Sequence, residues 1–385
     1  MPPLAALSSA LIAALVGFGG TVALVVQAMR MLGATVAQTG SAVTALCLGI
    51  ALAGAVLSFR LRIPVVLAWS TPGAALLAAS APGLSWTIVT GIFLSAGLMT
   101  IVLGCIPALG RLVERIPPAI ASAMLAGVLL PFCLELFRAA RVDPLIVLLL
   151  LALFVIGRSR FPNHALVLVL AAGFGATLAR GDFAAMPSGA TLGTLALVTP
   201  TFDIRAIVSI AIPLFLVTLV SQNLPGLLVL RAAGYEPKAG PLLVGTGIAS
   251  VVAAPFGGHA INLAAITATI CTGDDTQLER DRRWAVGVVY AAIYLLLALF
   301  APLLVRLFLA LPSPVIATLT GLALVSSLTA ALDAALASRN HRDPAMLTFL
   351  ATASGLTVFG LGSAFWGLMA GFGTLALRRA LNRSV

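Results

Sequence analysis

Apolar runs of roughly 14 to 26 residues follow one another from Ala5 to Ala380, separated only by short segments that carry arginine, proline or glycine. A bilayer core takes about 20 apolar residues per helix, so this pattern leaves no interval for a globular domain. With 61% hydrophobic and 9% charged residues among 385, and a mean hydropathy of +1.14, the chain lacks the polar surface that a soluble fold needs. The runs are too long, and too little alternated, for a transmembrane β-barrel. An all-α polytopic membrane protein is the expected fold class.

The runs divide into fourteen expected spans, at 5–29, 34–58, 63–80, 85–106, 117–137, 144–157, 162–179, 205–230, 240–254, 255–272, 284–305, 313–337, 344–360 and 362–377. The third, sixth, ninth and tenth are short for a full crossing. No basic segment precedes the first run, which reads as a retained span and not a signal peptide. The net charge of +10 does not point to nucleic acid, because no basic run or aromatic-interleaved patch occurs. Lysine and arginine lie between spans. With the amino terminus inside, 16 of the 22 fall on the cytoplasmic side, Arg111, Arg115 and Arg383 among them, which favours both termini inside. Cys47, Cys105, Cys133 and Cys271 lie in or beside apolar runs without a CxxC pair, so no metal, cofactor or disulfide framework is expected.

Short segments recur in order. Pro118 to Ser122 matches Pro314 to Thr318 at an offset of 196, Arg30 to Gly33 matches Arg231 to Gly234 at 201, and Ala68 to Gly73 matches Ala253 to Gly258 at 185. Two copies of seven spans enter the membrane from opposite faces, which makes a 7+7 inverted repeat. Matching interruptions in such repeats point to the binding site of a secondary transporter. Here they are Trp69 to Gly73 in the third span and Pro255 to His259 in the tenth. The β-branched stretches before them, Pro64 to Ala68 and Ser250 to Ala253, are expected to be extended, to pair, and to lead into half-helices starting near Pro72 and Gly257. Helix starts at mid-membrane offer amides to an anion, and glycine lets a ligand approach the backbone. A pair of Gly/Pro kinks filled by neighbouring helices is the alternative.

At these residues the sequence resembles the benzoate/proton symporter (BenE) family, related to uracil/xanthine permeases and sulfate-permease-like carriers. The likeness rests on Ala68 to Leu76, Ser221 to Gly226, Pro255 to Leu263 and Cys271 to Gly273. It implies a uracil-permease-like core domain (1–110 and 205–305, spans 1 to 4 and 8 to 11) and gate domain (111–180 and 306–385), with a connecting loop at 181–204. It also implies proton-coupled uptake of benzoate or a similar aromatic carboxylate across a bacterial inner membrane. The expected partners are that carboxylate, protons and membrane lipid, with no nucleic acid; a homodimer is admissible. The nucleobase permeases place glutamates in the eighth and tenth spans. This chain has Gln222, Asn223, His259 and Asn262 there, which suits an anion better than a neutral base.

The expected substrate-binding residues are Phe18, Trp69, Ser70, Thr71, Gly73, Gln222, Asn223, Phe256, Gly257, Gly258, His259 and Asn262. Phe18, Trp69 and Phe256 would stack an aromatic ring or simply pack. Gln222 and Asn223 would contact substrate or join helices. His259 is the expected proton-coupling residue, with Glu135 and Asp333, which fall near opposite membrane interfaces, next in line. The enzyme alternative finds no HExxH or GxSxG motif.

Overall fold

Runs of leucine, alanine and valine satisfy their backbone within each segment, and the computed structural model is accordingly mostly helical. It describes residues 4–80, 83–106, 117–162, 164–273, 276 and 278–381; Arg111, Arg115 and Arg383 lie outside them. The first half contains α1 (Leu4–Gly19), α2 (Val22–Met31), α3 (Val36–Leu61), β1 (Leu67–Trp69), α4 (Thr71–Ala78), α5 (Trp86–Cys105), α6 (Pro118–Ala139), α7 (Pro144–Arg160) and α8 (Ala165–Arg180). In the second half lie α9 (Ile204–Ala232), α10 (Ala239–Ala253), β2 (Ile261–Leu263), α11 (Ile266–Thr272), α12 (Trp284–Leu309), α13 (Ser313–Leu336), α14 (Arg342–Ala353) and α15 (Ser363–Leu381). Among the described residues, eight helical segments are long and apolar enough to cross a membrane, α1 and α2 counting as one, and Ala165–Arg180 is a shorter apolar helix.

Helix ends follow local chemistry. Thr35 and Gln38 form a capping box at the start of α3. Ser85 caps α5, and proline stands in the first turn of α6, α7 and α13. Two π-helical turns, Ile207–Ala211 and Leu219–Asn223, interrupt α9. Such turns are frequent at functional sites, and the second holds Ser221, Gln222 and Asn223. Residues 182–203 form no helix. They are tied to α12 by Gly193 N–H to the Leu299 carbonyl, to the turn after α10 by Val198 N–H to the Pro255 carbonyl, and to α5 by Thr201 N–H to the Thr87 carbonyl.

The two strands pair antiparallel, with Leu67 opposite Leu263, Ala68 opposite Asn262 and Trp69 opposite Ile261. The second broken segment is built differently from the expectation. Ser250 to Ala253 are the last turn of α10, not a strand, and the half-helix begins at Ile266 instead of near Gly257. Between them the chain passes through a 3-10 turn at Ala254–Phe256, reverses at Gly257 with φ of +90°, and then forms β2. The physical reason is that Ser250 to Ala253 continue an uninterrupted helical run from Ala239, whereas the glycine pair ends it. The first arm keeps its expected helix start, at Thr71 with Pro72 in the first turn.

Candidate functional site

The crossing of the strands gathers most of the residues singled out from the sequence. Ser70 follows β1 and caps α4, its Oγ accepting the Gly73 N–H at 3.0 Å. Thr218 of α9 donates its hydroxyl to that same oxygen at 2.8 Å, and Ser70 N–H bonds to the Ala260 carbonyl at 2.9 Å. The helix start is thus occupied by its own serine, and Pro72 brings no N–H. This corrects the expectation of a bare amide cluster at α4.

His259 is fully buried, with its Nε2 3.1 Å from the Ser70 carbonyl oxygen. A carbonyl only accepts, so Nε2 carries the proton. Its Nδ1 meets no hydrogen-bond partner among the described residues. The ring lies edge-on to Phe93 at 6.2 Å. Asn262, also fully buried, donates from Nδ2 to the Leu263 carbonyl at 2.8 Å, and its Oδ1 is likewise without a partner. Asn223 reaches from the π turn of α9 to accept the Leu263 N–H at 3.0 Å. Gly226, one turn on, has space for no side chain: a Cβ there would stand 2.6 Å from that of Leu263. Buried polar atoms left unmatched are costly, and two of them converge on this crossing.

Aromatic side chains cover one side. Trp69 and Phe18 lie 5.3 Å apart between centroids, and Trp69 meets Tyr294 edge-on at 6.3 Å. Trp69 Nε1 donates to Thr21 Oγ1 at 2.8 Å, and the Tyr290 hydroxyl donates to the Leu67 carbonyl at 3.0 Å. Sequence reasoning missed Thr21, Thr218, Tyr290 and Tyr294. The tyrosines were detectable: two of the three in the chain stand four apart on one helix face.

The remaining expected residues separate from one another. Thr71 and Gln222 are half-buried at the crossing, Gln222 one turn beyond Thr218. Phe256 instead lines an apolar groove between α3 and α10. Gly257 and Gly258 are explained by packing: a Cβ on Gly257 would lie 2.8 Å from Trp86 Cζ2, and one on Gly258 2.6 Å from Ala253 Cβ. That accounts for both glycines without a ligand. Glu135 and Asp333 are exposed near the ends of α6 and α13, and Glu135 pairs with Arg138 at 3.4 Å. Among the described residues no group of three or more His, Cys, Asp or Glu side chains comes together to hold a metal.

Comparison with known proteins places this geometry. The family profile described as "Benzoate membrane transport protein" (BenE) matches residues 2–377. The inner membrane protein YdcO of Escherichia coli is 38% identical over 360 residues, 94% of this chain and 92% of that protein. The benzoate membrane transport protein of Acinetobacter baylyi is 34% identical over 368 residues, 96% of this chain and 93% of that protein. Among solved structures, the transmembrane domain of the cyanobacterial bicarbonate transporter BicA superposes with a TM-score of 0.60 at 16% identity, over 95% of this chain and 97% of that one. The murine Solute Carrier 26 family member A9 anion transporter, in its inward-facing state, gives 0.65 at 12% identity, over 98% and 68% respectively. At such identities the likeness is one of fold alone.

Proposed function

Because this chain belongs to the family of benzoate membrane transport proteins, we propose that it carries benzoate or a similar aromatic carboxylate inward together with protons, by alternating access. By family and fold it is a membrane transporter and not an enzyme. The proposed setting is the bacterial inner membrane, with both termini cytoplasmic.

The observation that carries this reading is the crossing itself. Trp69 of β1, packed on Phe18, belongs to the same paired segments as two polar atoms without partners among the described residues, His259 Nδ1 and Asn262 Oδ1. An aromatic ring is suited by the first pair, and a proton or a protonated carboxyl by the second. Ser70, Thr71, Gln222 and Asn223 complete the proposed site. Its fourteen-span, inverted-repeat architecture is supported by the packing: α3 lies on α12 as α5 lies on α10, and α1 meets α11 as α4 meets α9. Exchanging the two halves turns each of these pairs into the other. In the proposed division, 1–110 with 205–305 form the core and 111–180 with 306–385 the gate, joined by 181–204. Packing of α6 on α13 and α14, and of α14 on α15, favours that grouping.

A carboxylate moving inward opposes a negative-inside potential at about 2.3 kcal/mol per 100 mV, and one proton carried with it removes that cost. We assign the proton to His259, since Glu135 and Asp333 are exposed at helix ends. In liposomes with an imposed pH gradient, His259→Gln and His259→Ala should bind benzoate yet fail to accumulate it. Wild-type accumulation by both variants would move coupling elsewhere, with Glu135 and Asp333 next to test.

The fold of the bicarbonate and Solute Carrier 26 anion transporters favours one second reading, an inorganic-anion carrier. Labelled benzoate uptake competed with sulfate, bicarbonate and uracil decides between them: saturable uptake displaced by benzoate alone supports the carboxylate.

A further inference from the structure

A cavity of about 470 Å³ opens between α2, the end of α12, the end of α6 and the start of α13. Its character changes along its length. Ala23, Val26 and Phe308 are buried in its wall, while Arg30, Glu135 and Arg138 are exposed at its mouth. Small-molecule sites of this size combine apolar walls with a few placed polar groups.

The polar groups at the mouth are available. Among the described residues no carboxylate pairs with Arg30. Arg138 holds Glu135 only at 3.4 Å, with both side chains more than half exposed, at 59% and 51%. Such i,i+3 surface pairs are weak and yield to a competing anion. Gln27, one turn before Arg30 on the same helix, lines the cavity with a buried Oε1 that has no partner among the described residues; that oxygen only accepts, which leaves the anion to the arginines. From Arg30 to Ala23 the helix descends roughly 10 Å, and two residues farther lies Thr21, the partner of Trp69. The cavity therefore runs from a cationic mouth toward the aromatic side of the strand crossing.

We propose that this cavity is a vestibular binding site for a small amphipathic carboxylate, held by its anionic group at Arg30 and Arg138 and by its ring against Ala23, Val26 and Phe308. The site is separate from the strand crossing and supplies it. Its assignment to an aromatic carboxylate rests on the transport reading above. Two guanidiniums against one carboxylate leave the mouth with a net positive charge, which concentrates anions at a cleft and speeds their capture. Neutral ring compounds gain nothing from it.

The test is benzoate uptake by the purified full chain in zwitterionic liposomes, comparing wild type with the Arg30→Gln/Arg138→Gln double variant. KM should rise about tenfold with kcat unchanged, and the difference should shrink at high salt. Glu135→Gln, which frees Arg138, should shift KM the opposite way. Unchanged KM in the double variant, or a fall in kcat alone, overturns the vestibule and leaves the transport reading intact. Should the wild type show no saturable benzoate uptake, the transport reading fails, and direct calorimetric binding of benzoate decides the vestibule: binding lost in the double variant supports it, and equal or absent binding overturns it. A wild-type KM raised to the variant's level by anionic lipid would reassign the mouth to a lipid headgroup.

Discussion

The two broken segments meet at one crossing but are held by different means. The arm from Ile63 to Ala78 caps its own half-helix: β1 runs directly into α4, Ser70 caps the helix, and Pro72 fills a first-turn position where no N–H is needed. In the arm from Ala254 to Thr272 the chain reverses through Gly257 at φ +90°, Asn223 of α9 takes the Leu263 N–H, and α11 begins without a side-chain cap. The helix start of the first arm is capped by its own residue, whereas β2 of the second arm depends on a side chain from α9. A broken helix thus needs its backbone groups satisfied, but the donors and acceptors need not be local.

The largest expected effect tests the turn that only the second arm has. Gly258→Val places a branched side chain against Ala253 Cβ and its carbonyl oxygen, at 2.6 and 3.1 Å from the added Cβ, and should cost about 3 kcal/mol. Loss of folded yield and a lowered Tm in detergent would register it. A wild-type melt would mean that the turn has room and that the glycine serves a ligand after all.

Borrowed support comes next. Asn223→Ala strands the buried Leu263 N–H and should destabilise by about 2 kcal/mol, whereas Gln222→Ala, its half-buried neighbour, should shift stability by less than about 0.5 kcal/mol. Thermal melts of the pair measure the contrast, and equal losses would show that the π turn, not the specific bond, supports β2. For the first arm, Ser70→Ala removes both the cap and the acceptor of the Thr218 hydroxyl and should cost about 1.5 kcal/mol. A loss larger than that of Asn223→Ala would reverse the ranking of the two arms.

The smallest effect lies outside both arms. Partial burial raises the Asp143 carboxyl, but the Ile146 amide and the Arg180 guanidinium outweigh it and hold it below the ordinary carboxylate range. A depressed folded value means that this contribution is present above the unfolded pKa of about 3.9 and is lost as pH falls through the folded one. Asp143→Asn should therefore lower Tm slightly at pH 7 and flatten its loss below about pH 4, where variant and wild type converge. An identical acid profile in the variant would show that the pair is inert.

Legibility in the sequence followed the same division. Helical runs and the start of α4 could be read because apolar length and a Ser-Thr-Pro-Gly run act within a few residues, whereas β-branching put the second strand at Ser250 to Ala253, which are helical. Tyr290, Tyr294, Thr21 and Thr218 could not be placed at the crossing, since they reach it from α12, from the turn before α2 and from α9. The glycines of Pro255 to His259 were read as openings for a ligand, but they are filled by Trp86, Ala42 and Ala253. A glycine that admits a substrate and one that admits a neighbouring side chain look alike in one dimension.

What the sequence by itself determined is that the chain is a polytopic helical membrane protein with two interrupted segments rich in uncharged polar residues, because bilayer length and backbone satisfaction act locally. Only the tertiary structure decided where the second strand lies, which polar atoms stay unmatched, and that Arg30 and Arg138 share a cavity mouth. Those depend on contacts between residues from about 40 to nearly 190 positions apart, such as Asn223 with Leu263 and His259 with Ser70, and no local pattern encodes which distant group will arrive to complete a hydrogen bond.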